Sequence, residues 1–220
     1  MPLTQLDNIS ALVVIDLQKG IVGIPTAHLA GEIVARAAHL AQAFREHGLP
    51  VVLVNVSGRA PERTESESPK FAFSADWSEF VPELAAVPTD LRITKQRFGA
   101  FLGTSLDADL RKRGVTQIVL AGISTSIGVE STARSASDLG YNVTLVVDAM
   151  TDRSPEMHRH SVEKVFPRLG ETGTPTSYFG CSRRDGPQRP TDAMNFVASE
   201  AAREYTGHVV GREKKSAENA

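Results

Sequence analysis

Cysteine is nearly absent from this 220-residue sequence, and its scarcity narrows the chemistry that the chain can support. The single cysteine, Cys181, excludes a disulfide within the chain and a zinc site built from cysteine pairs. The formal net charge of −2 gives no electrostatic reason to expect nucleic acid or an anionic membrane as a partner. No apolar run approaches the roughly 20 residues that span a bilayer, and the polar N-terminus lacks the layout of a signal peptide. We therefore expect a cytoplasmic protein that binds neither nucleic acid nor membranes.

Apolar runs rich in β-branched residues predict the strands of a parallel sheet. Such runs are buried on both faces when helices cover the sheet. Strands are predicted at residues 11–17, 51–56, 117–121 and 142–147, with a shorter one at 90–94 and a sixth near 173–179. Segments with helical spacing of apolar residues lie between them, so strand and helix alternate along the chain. The sequence thus predicts an α/β fold, a three-layer α/β/α sandwich around a Rossmann-like parallel six-stranded sheet.

Capping residues mark the ends of the predicted helices. A helix whose apolar face begins at Leu29 is expected to end at Gly48, and Thr104 is a candidate N-cap of the next helix. Gly140 is placed to end a third helix. Ser154, which is followed by a proline, predicts the start of a fourth helix.

The chain is expected to divide into one domain and a tail. Residues 1–180 carry the alternating pattern and form the predicted domain. Residues 181–220 form a polar C-terminal tail with one amphipathic helix at 192–205. The apolar stripe of that helix has no obvious core left to join. We therefore expect a homo-oligomer, a dimer or a tetramer, in which the helix packs on a partner subunit or closes over its own domain.

Three polar features follow predicted strands, at the edge where open parallel sheets bind ligands. Asp16 closes the first strand, Lys95 follows the strand at 90–94, and the segment 122–130 leads into a helix. Each has an ordinary alternative: a strand-end cap or half of a salt bridge, a solvated lysine, and a tight turn. Together at three strand ends they favour a site for a small-molecule substrate, in which the helix start offers N–H groups to an anion or oxyanion.

Three sequence blocks surround these positions: V-V-I-D-L-Q, T-K-x-R-F-x-A-F and A-G-I-x-T-x-x-G-V-E-x-T-A-R-x-A. In this order they resemble the isochorismatase-like (cysteine hydrolase) superfamily, over roughly residues 11–174. The triad of its cysteine-bearing members is Asp, Lys and Cys, which the resemblance places on Asp16, Lys95 and Gly128. Glycine in the third position identifies the chain with the branch that has lost the catalytic cysteine, where thiol-ester chemistry cannot run. The Asp-x-His-x-His metal motif of nicotinamidases is also absent.

The resemblance implies an acid-catalysed hydrolysis, because true isochorismatases also carry glycine at the cysteine position. In their reaction a vinyl ether is protonated at its terminal carbon, water traps the oxocarbenium ion, and the hemiketal collapses. Asp16 would be the general acid, with a pKa raised by burial or crowding. Lys95 would hold a substrate carboxylate or set the protonation of Asp16, and Gly128 would let the substrate approach the backbone. Ser57 and Gly58 replace the glutamine that isochorismatases carry after the second strand, so the resemblance leaves open whether isochorismate or a related small molecule is hydrolysed.

Five further residues are expected to bind the substrate: Ser124, Thr125, Gln18, Arg97 and Phe98. The serine and threonine hydroxyls could serve as substitute nucleophiles, but no histidine lies nearby in sequence to act as a base. His158 and His160 are two residues apart on a predicted helix and make a poor metal pair, and His28 is expected to be solvated. The segment after the first strand lacks G-x-G-x-x-G, which argues against a dinucleotide cofactor. With the metal motif also absent, we expect neither a metal nor a cofactor. The alternative function is a catalytically silent paralogue or a small-molecule-binding protein on the same fold.

Overall fold

Six parallel strands form one sheet in the computed structural model, which describes residues 6–58, 65 and 74–173. The strands are β1 (Ser10–Ile15), β2 (Val51–Val56), β3 (Leu91–Lys95), β4 (Gln117–Ile123), β5 (Asn142–Thr151) and β6 (Glu171–Gly173). Their order across the sheet is β3-β2-β1-β4-β5-β6, so the order reverses between β1 and β4. A reversal of this kind is the topological switch point of a doubly wound fold, outside which ligands bind.

Five α-helices connect or flank these strands. They are α1 (Lys19–Val22), α2 (Ala30–Glu46), α3 (Leu106–Lys112), α4 (Glu130–Asp138) and α5 (Pro155–His160). A π-helical turn at Thr125–Val129 leads into α4, and further turns follow α5 at Ser161–Val165 and Phe166–Arg168. A short 3-10 turn at Pro82–Leu84 precedes β3.

The sheet is covered on both faces because its side chains alternate in direction. Every residue of β1 is buried. Leu12 and Val14 pack in one core with α2, whereas Val13 and Ile15 pack in a second core with residues of α3 and α4. The predicted three-layer sandwich around a parallel six-stranded sheet is therefore confirmed.

Two helix starts show how local chemistry sets the boundaries. Ser154 caps α5 as predicted, and its Oγ accepts a hydrogen bond of 3.2 Å from the N–H of Met157. The predicted cap of α3 is displaced by one residue, because Ser105 is the N-cap. Thr104 still contributes, since its Oγ1 accepts a hydrogen bond of 3.2 Å from the N–H of Leu106.

Several strand ends differ from the sequence prediction. β1 stops at Ile15 because Asp16 adopts a left-handed backbone conformation with φ 52°. β4 and β5 run past their predicted ends, to Ile123 and Thr151. β6 overlaps the predicted sixth strand only at Gly173, and residues 174–179 lie outside the described residues.

Several predictions concern residues that the structure does not describe. The domain boundary at residue 180, the tail helix at 192–205 and Cys181 all lie outside the described residues. Within residues 6–58, 65 and 74–173, no helix is both long and apolar enough to cross a membrane.

Candidate active site

Asp16, Lys95 and Gly128 come together at the carboxyl edge of the sheet, next to the switch point. Asp16 directly follows β1, Lys95 is the last residue of β3, and Gly128 lies in the π-helical turn after β4. Because β3 lies two strands from β1, about 10 Å at the usual strand spacing, the long lysine side chain must extend past the end of β2. Its Nζ lies 2.8 Å from Asp16 Oδ2, so the two head groups are in direct contact.

The backbone around Asp16 holds the carboxyl at this edge. Its N–H donates a hydrogen bond of 2.9 Å to the carbonyl of Val54, which keeps it paired with β2 although β1 has ended. The left-handed conformation at φ 52° is uncommon for a residue with a side chain, and aspartate tolerates it better than most. Asp16 is thus fixed by the sheet rather than carried on a free loop.

The Asp16–Lys95 pair is almost completely removed from solvent. The exposed fraction of the side chain is 9% for Asp16 and 3% for Lys95. Burial raises the pKa of Asp16 to about 6, and the charge and hydrogen bond of Lys95 act in the opposite direction. The second carboxyl oxygen, Oδ1, is buried and has no hydrogen-bond partner among the described residues. Lys95 Nζ also donates to the carbonyl of Arg97 at 3.2 Å. The carboxyl can therefore bind a proton near neutral pH.

Gly128 packs so closely beside this carboxyl that a Cβ would crowd its neighbours. A Cβ built at this position would lie 3.3 Å from Asp16 Oδ2 and 2.9 Å from Cγ2 of Ile15. The second distance is shorter than atoms in contact tolerate, so a side chain here requires Ile15 to move. The carbonyl of Gly128 accepts a hydrogen bond of 2.6 Å from the hydroxyl of Thr132, which anchors the turn to α4.

A cavity of about 460 Å³ opens over the pair. Six of the predicted site residues line it: Asp16, Lys95, Gly128, Ser124, Arg97 and Phe98. They come from the ends of three strands and from the loops that follow them. The cavity is also lined by residues that the sequence pattern did not single out, among them Arg153, Leu102 and Ile127. The cavity is of a size that suits a small molecule.

Gln18 is buried and does not line the cavity, although it was expected to bind substrate. Its amide Nε2 donates to the carbonyls of Val56 and Trp77, at 3.0 and 3.1 Å, and its Oε1 accepts the N–H of Val56 at 2.7 Å. The side chain therefore joins the end of β2 to the segment around Trp77. This arrangement leaves the amide engaged in holding the cavity wall.

Thr125 is also buried, and it contacts a histidine that the sequence analysis did not connect with it. Its Oγ1 lies 2.9 Å from Nδ1 of His158, which comes from α5. Burial, followed by the nearby His28, lowers the pKa of His158. Thr125 is fully buried and does not line the cavity. The Thr125–His158 pair therefore stabilises the turn and does not present a nucleophile to a ligand.

His28 is exposed, as expected, yet it takes part in the same network. Its ring meets that of His158 edge-on, with centroids 4.8 Å apart. Its Nδ1 lies 3.0 Å from the hydroxyl of Thr151. Nothing in the spacing of these residues along the chain signals the cluster. Among the residues that the structure describes, no group of three or more histidine, cysteine or acidic side chains is arranged to hold a metal ion.

Comparison with known proteins agrees with this architecture. The family model for the isochorismatase domain matches residues 10–177. An isochorismatase family protein of Bacillus subtilis, YwoC, is 44% identical over 172 residues, which cover 75% of this chain and 89% of YwoC.

Solved structures give the same result. An isochorismatase family protein from Burkholderia thailandensis superposes with a TM-score of 0.76 at 41% identity, covering 79% of this chain and 95% of that one. The N-carbamoylsarcosine amidase from Thermoplasma acidophilum superposes with a TM-score of 0.61 at 29% identity, covering 76% and 95%. The chain therefore belongs to the isochorismatase family.

Proposed function

We propose that this chain hydrolyses a small molecule without a cysteine nucleophile, with Asp16 as the general acid and Lys95 as its charge partner. The observation that carries the proposal is the 2.8 Å ion pair between these side chains, nearly buried and lining the cavity. A site without a nucleophilic side chain must instead supply a proton and stabilise developing charge. The carboxyl and the ammonium together meet both requirements.

Gly128 supports the assignment to the cysteine-free branch. The resemblance puts the family's nucleophile at this position, and the surroundings here are packed against a bare Cα: a Cβ would lie 2.9 Å from Ile15 Cγ2. The one cysteine of the chain, Cys181, lies after the last of the three sequence blocks. Because Gly128 also lines the cavity, we infer that the substrate approaches its bare backbone.

The raised pKa of Asp16 supports its role as an acid. A carboxyl with a pKa of about 6 retains a proton in a useful fraction of molecules near neutral pH, whereas one at its usual value of 3.8 does not. Lys95 occupies Oδ2, so the proton resides on Oδ1. The ammonium then offsets the carboxylate charge once the proton has left.

Cleavage of a vinyl ether is the reaction that matches these groups. The proton of Asp16 forms a C–H bond at the terminal methylene carbon while the double-bond electrons move to it, leaving an oxocarbenium ion. Water adds to this cation, and its released proton returns to the Asp16 carboxylate. The C–O bond of the resulting hemiketal then breaks as its hydroxyl proton passes to the leaving oxygen, which yields a ketone and an alcohol. No side chain becomes covalently attached at any step, which is compatible with glycine at position 128.

The decisive experiment is a hydrolysis screen of vinyl ethers and small amides on wild type and Asp16→Asn. Asn keeps the shape and polarity of the side chain but has no acid proton, so turnover should fall by about 10²–10⁴-fold. Asp148→Asn is the matched control: burial also raises the pKa of Asp148, but it does not line the cavity, and its loss should leave turnover unchanged.

Two results would contradict the proposal. If Asp16→Asn retains wild-type turnover while remaining folded, Asp16 is not the acid. If wild type hydrolyses neither class of compound, the binding-protein alternative becomes the better one. Activity should also decline as the pH rises through about 6, because the proton-bearing form of Asp16 is then lost.

A further inference from the structure

The cavity over Asp16 carries an excess of positive charge. Asp16 and Lys95 neutralise each other, and no other carboxylate lines the cavity among the residues that the structure describes. Arg97 and Arg153 also line it, and both are exposed. Neither guanidinium has a hydrogen-bond or ion-pair partner among the described residues. Two uncompensated positive charges therefore face the ligand space, which favours an anion.

The backbone of Arg153 is fixed by a buried carboxylate. Asp152 is fully buried, and its Oδ1 accepts the N–H of Arg153 at 2.7 Å. Its Oδ2 accepts the N–H of Ser126, also at 2.7 Å, in the turn that carries Gly128. Asp152 thus ties the loop after β5 to the turn after β4.

The start of α5 restrains the same loop from its other side. Immediately after Arg153, Ser154 caps the helix and Pro155 opens it. The base of the arginine is therefore fixed on both sides, while its head group lacks a partner among the described residues. Because the backbone is already fixed, only the side chain of this arginine has to be ordered when it binds a ligand.

Apolar side chains line the cavity together with the two arginines. Phe98 is 50% exposed, Leu102 is 69% exposed and Ile127 is 36% exposed, and all three line the cavity. Large apolar side chains exposed beside cations form a surface for a ligand with an apolar body and an anionic head. The planar fork of a guanidinium matches the oxygens of a carboxylate or phosphate.

We propose that Arg153 is a specificity-determining residue that selects substrates in which a carboxylate or phosphate is attached to an apolar body. This inference rests on the proposed function, because it assigns a substrate class to the same cavity. The ordinary alternative is a solvated arginine at the rim and apolar residues that pack on another protein surface. The two hypotheses differ in one respect: only the first requires Arg153 to bind an acid more tightly than its neutral counterpart.

The test measures equilibrium binding, so it needs no turnover. Benzoate, phenyl phosphate and benzamide are titrated into wild type, Arg153→Ala and Arg113→Ala by calorimetry. Arg113 is the matched control, since it is an exposed arginine at the opposite edge of the sheet, just before β4. Wild type should bind benzoate or phenyl phosphate, and benzamide should bind about 10-fold more weakly or worse.

Arg153→Ala should weaken binding of the anion about 10-fold to 100-fold and change benzamide binding little, whereas Arg113→Ala should change neither. Arg153→Lys keeps the charge but not the fork and should fall between wild type and Arg153→Ala. The better of the two anions identifies the head group. Equal binding of benzoate and benzamide, an anion affinity that Arg153→Ala leaves intact, or no binding of either anion would overturn the inference.

The inference and the proposed function can fail separately. If Asp16→Asn retains turnover while Arg153 still selects anions, the acid role is wrong and the substrate class stands. If turnover depends on Asp16 but acids and their amides bind alike, the acid role stands and the substrate class is wrong. For any substrate found in the screen, Arg153→Ala should act mainly on KM for the acid form and spare its neutral ester.

Discussion

Replacing Asp16 with Asn should remove a pH dependence from the free energy of unfolding. Burial raises the pKa of Asp16 in the folded protein from 3.8 to about 6, so the folded state binds this proton more tightly than the unfolded chain does. The stabilisation is therefore complete below pH 3.8 and is lost as the pH rises through about 6. The difference between the two pKa values corresponds to about 3 kcal/mol over that window.

Urea unfolding of both proteins across this window measures the effect directly. The stability of wild type relative to Asp16→Asn should fall by about 3 kcal/mol as the pH rises. Other carboxyls, Asp148 among them, titrate in both proteins and cancel in the difference. The lost contact with Lys95 adds an offset that does not vary over this acidic window. A difference that is independent of pH would refute the reasoning, because Asp16 would then titrate alike in the folded and unfolded states.

Four further outcomes are expected. Lys95→Ala should raise KM and move the decline in activity to higher pH, because the ammonium lowers the pKa of Asp16; an unchanged pH profile would contradict this. In Gly128→Cys the free energy of unfolding should fall by about 1–3 kcal/mol, and the variant should gain no amidase activity. Cys181→Ser should keep its hydrolytic activity, and a folded but inactive variant would overturn the cysteine-free assignment. We also propose a homo-oligomer, which a monomeric mass by light scattering would exclude.

The sheet could be predicted from the sequence because its strands are buried on both faces. Residues 51–56 matched β2 at both ends, since that apolar run is bounded by proline on one side and by polar residues on the other. The site could be placed for the same reason: once strands are assigned as parallel, their carboxyl ends share one edge. Asp16 and Lys95 follow two such ends, and the fold brings them to 2.8 Å.

The missed features depend on the paths of loops, which carry no periodic signal. Thr125 and His158 are 33 residues apart in sequence, and only the route of the chain from β5 into α5 brings them to 2.9 Å. Gln18 adjoins a predicted catalytic residue, yet its amide satisfies backbone groups that no pattern in the sequence connects with it. Arg153 reaches the cavity through the same β5–α5 loop. Contacts between loops decide these cases, and hydrophobic periodicity does not report them.

The contrast between a regular sheet and irregular loops also explains how one family supports different substrates. The backbone of Asp16 pairs with that of Val54 in β2, so the proposed acid is held directly by the sheet. Arg97, Phe98 and Arg153 stand on connections between elements, where a substitution changes the cavity without disturbing the sheet. The N-carbamoylsarcosine amidase shares the fold at 29% identity, and sharing a fold does not fix the substrate. The proposed acid role is therefore tested by substituting Asp16 at the end of a strand, and the substrate class by substituting Arg153 in a loop. For this reason Asp16→Asn and Arg153→Ala are separate experiments.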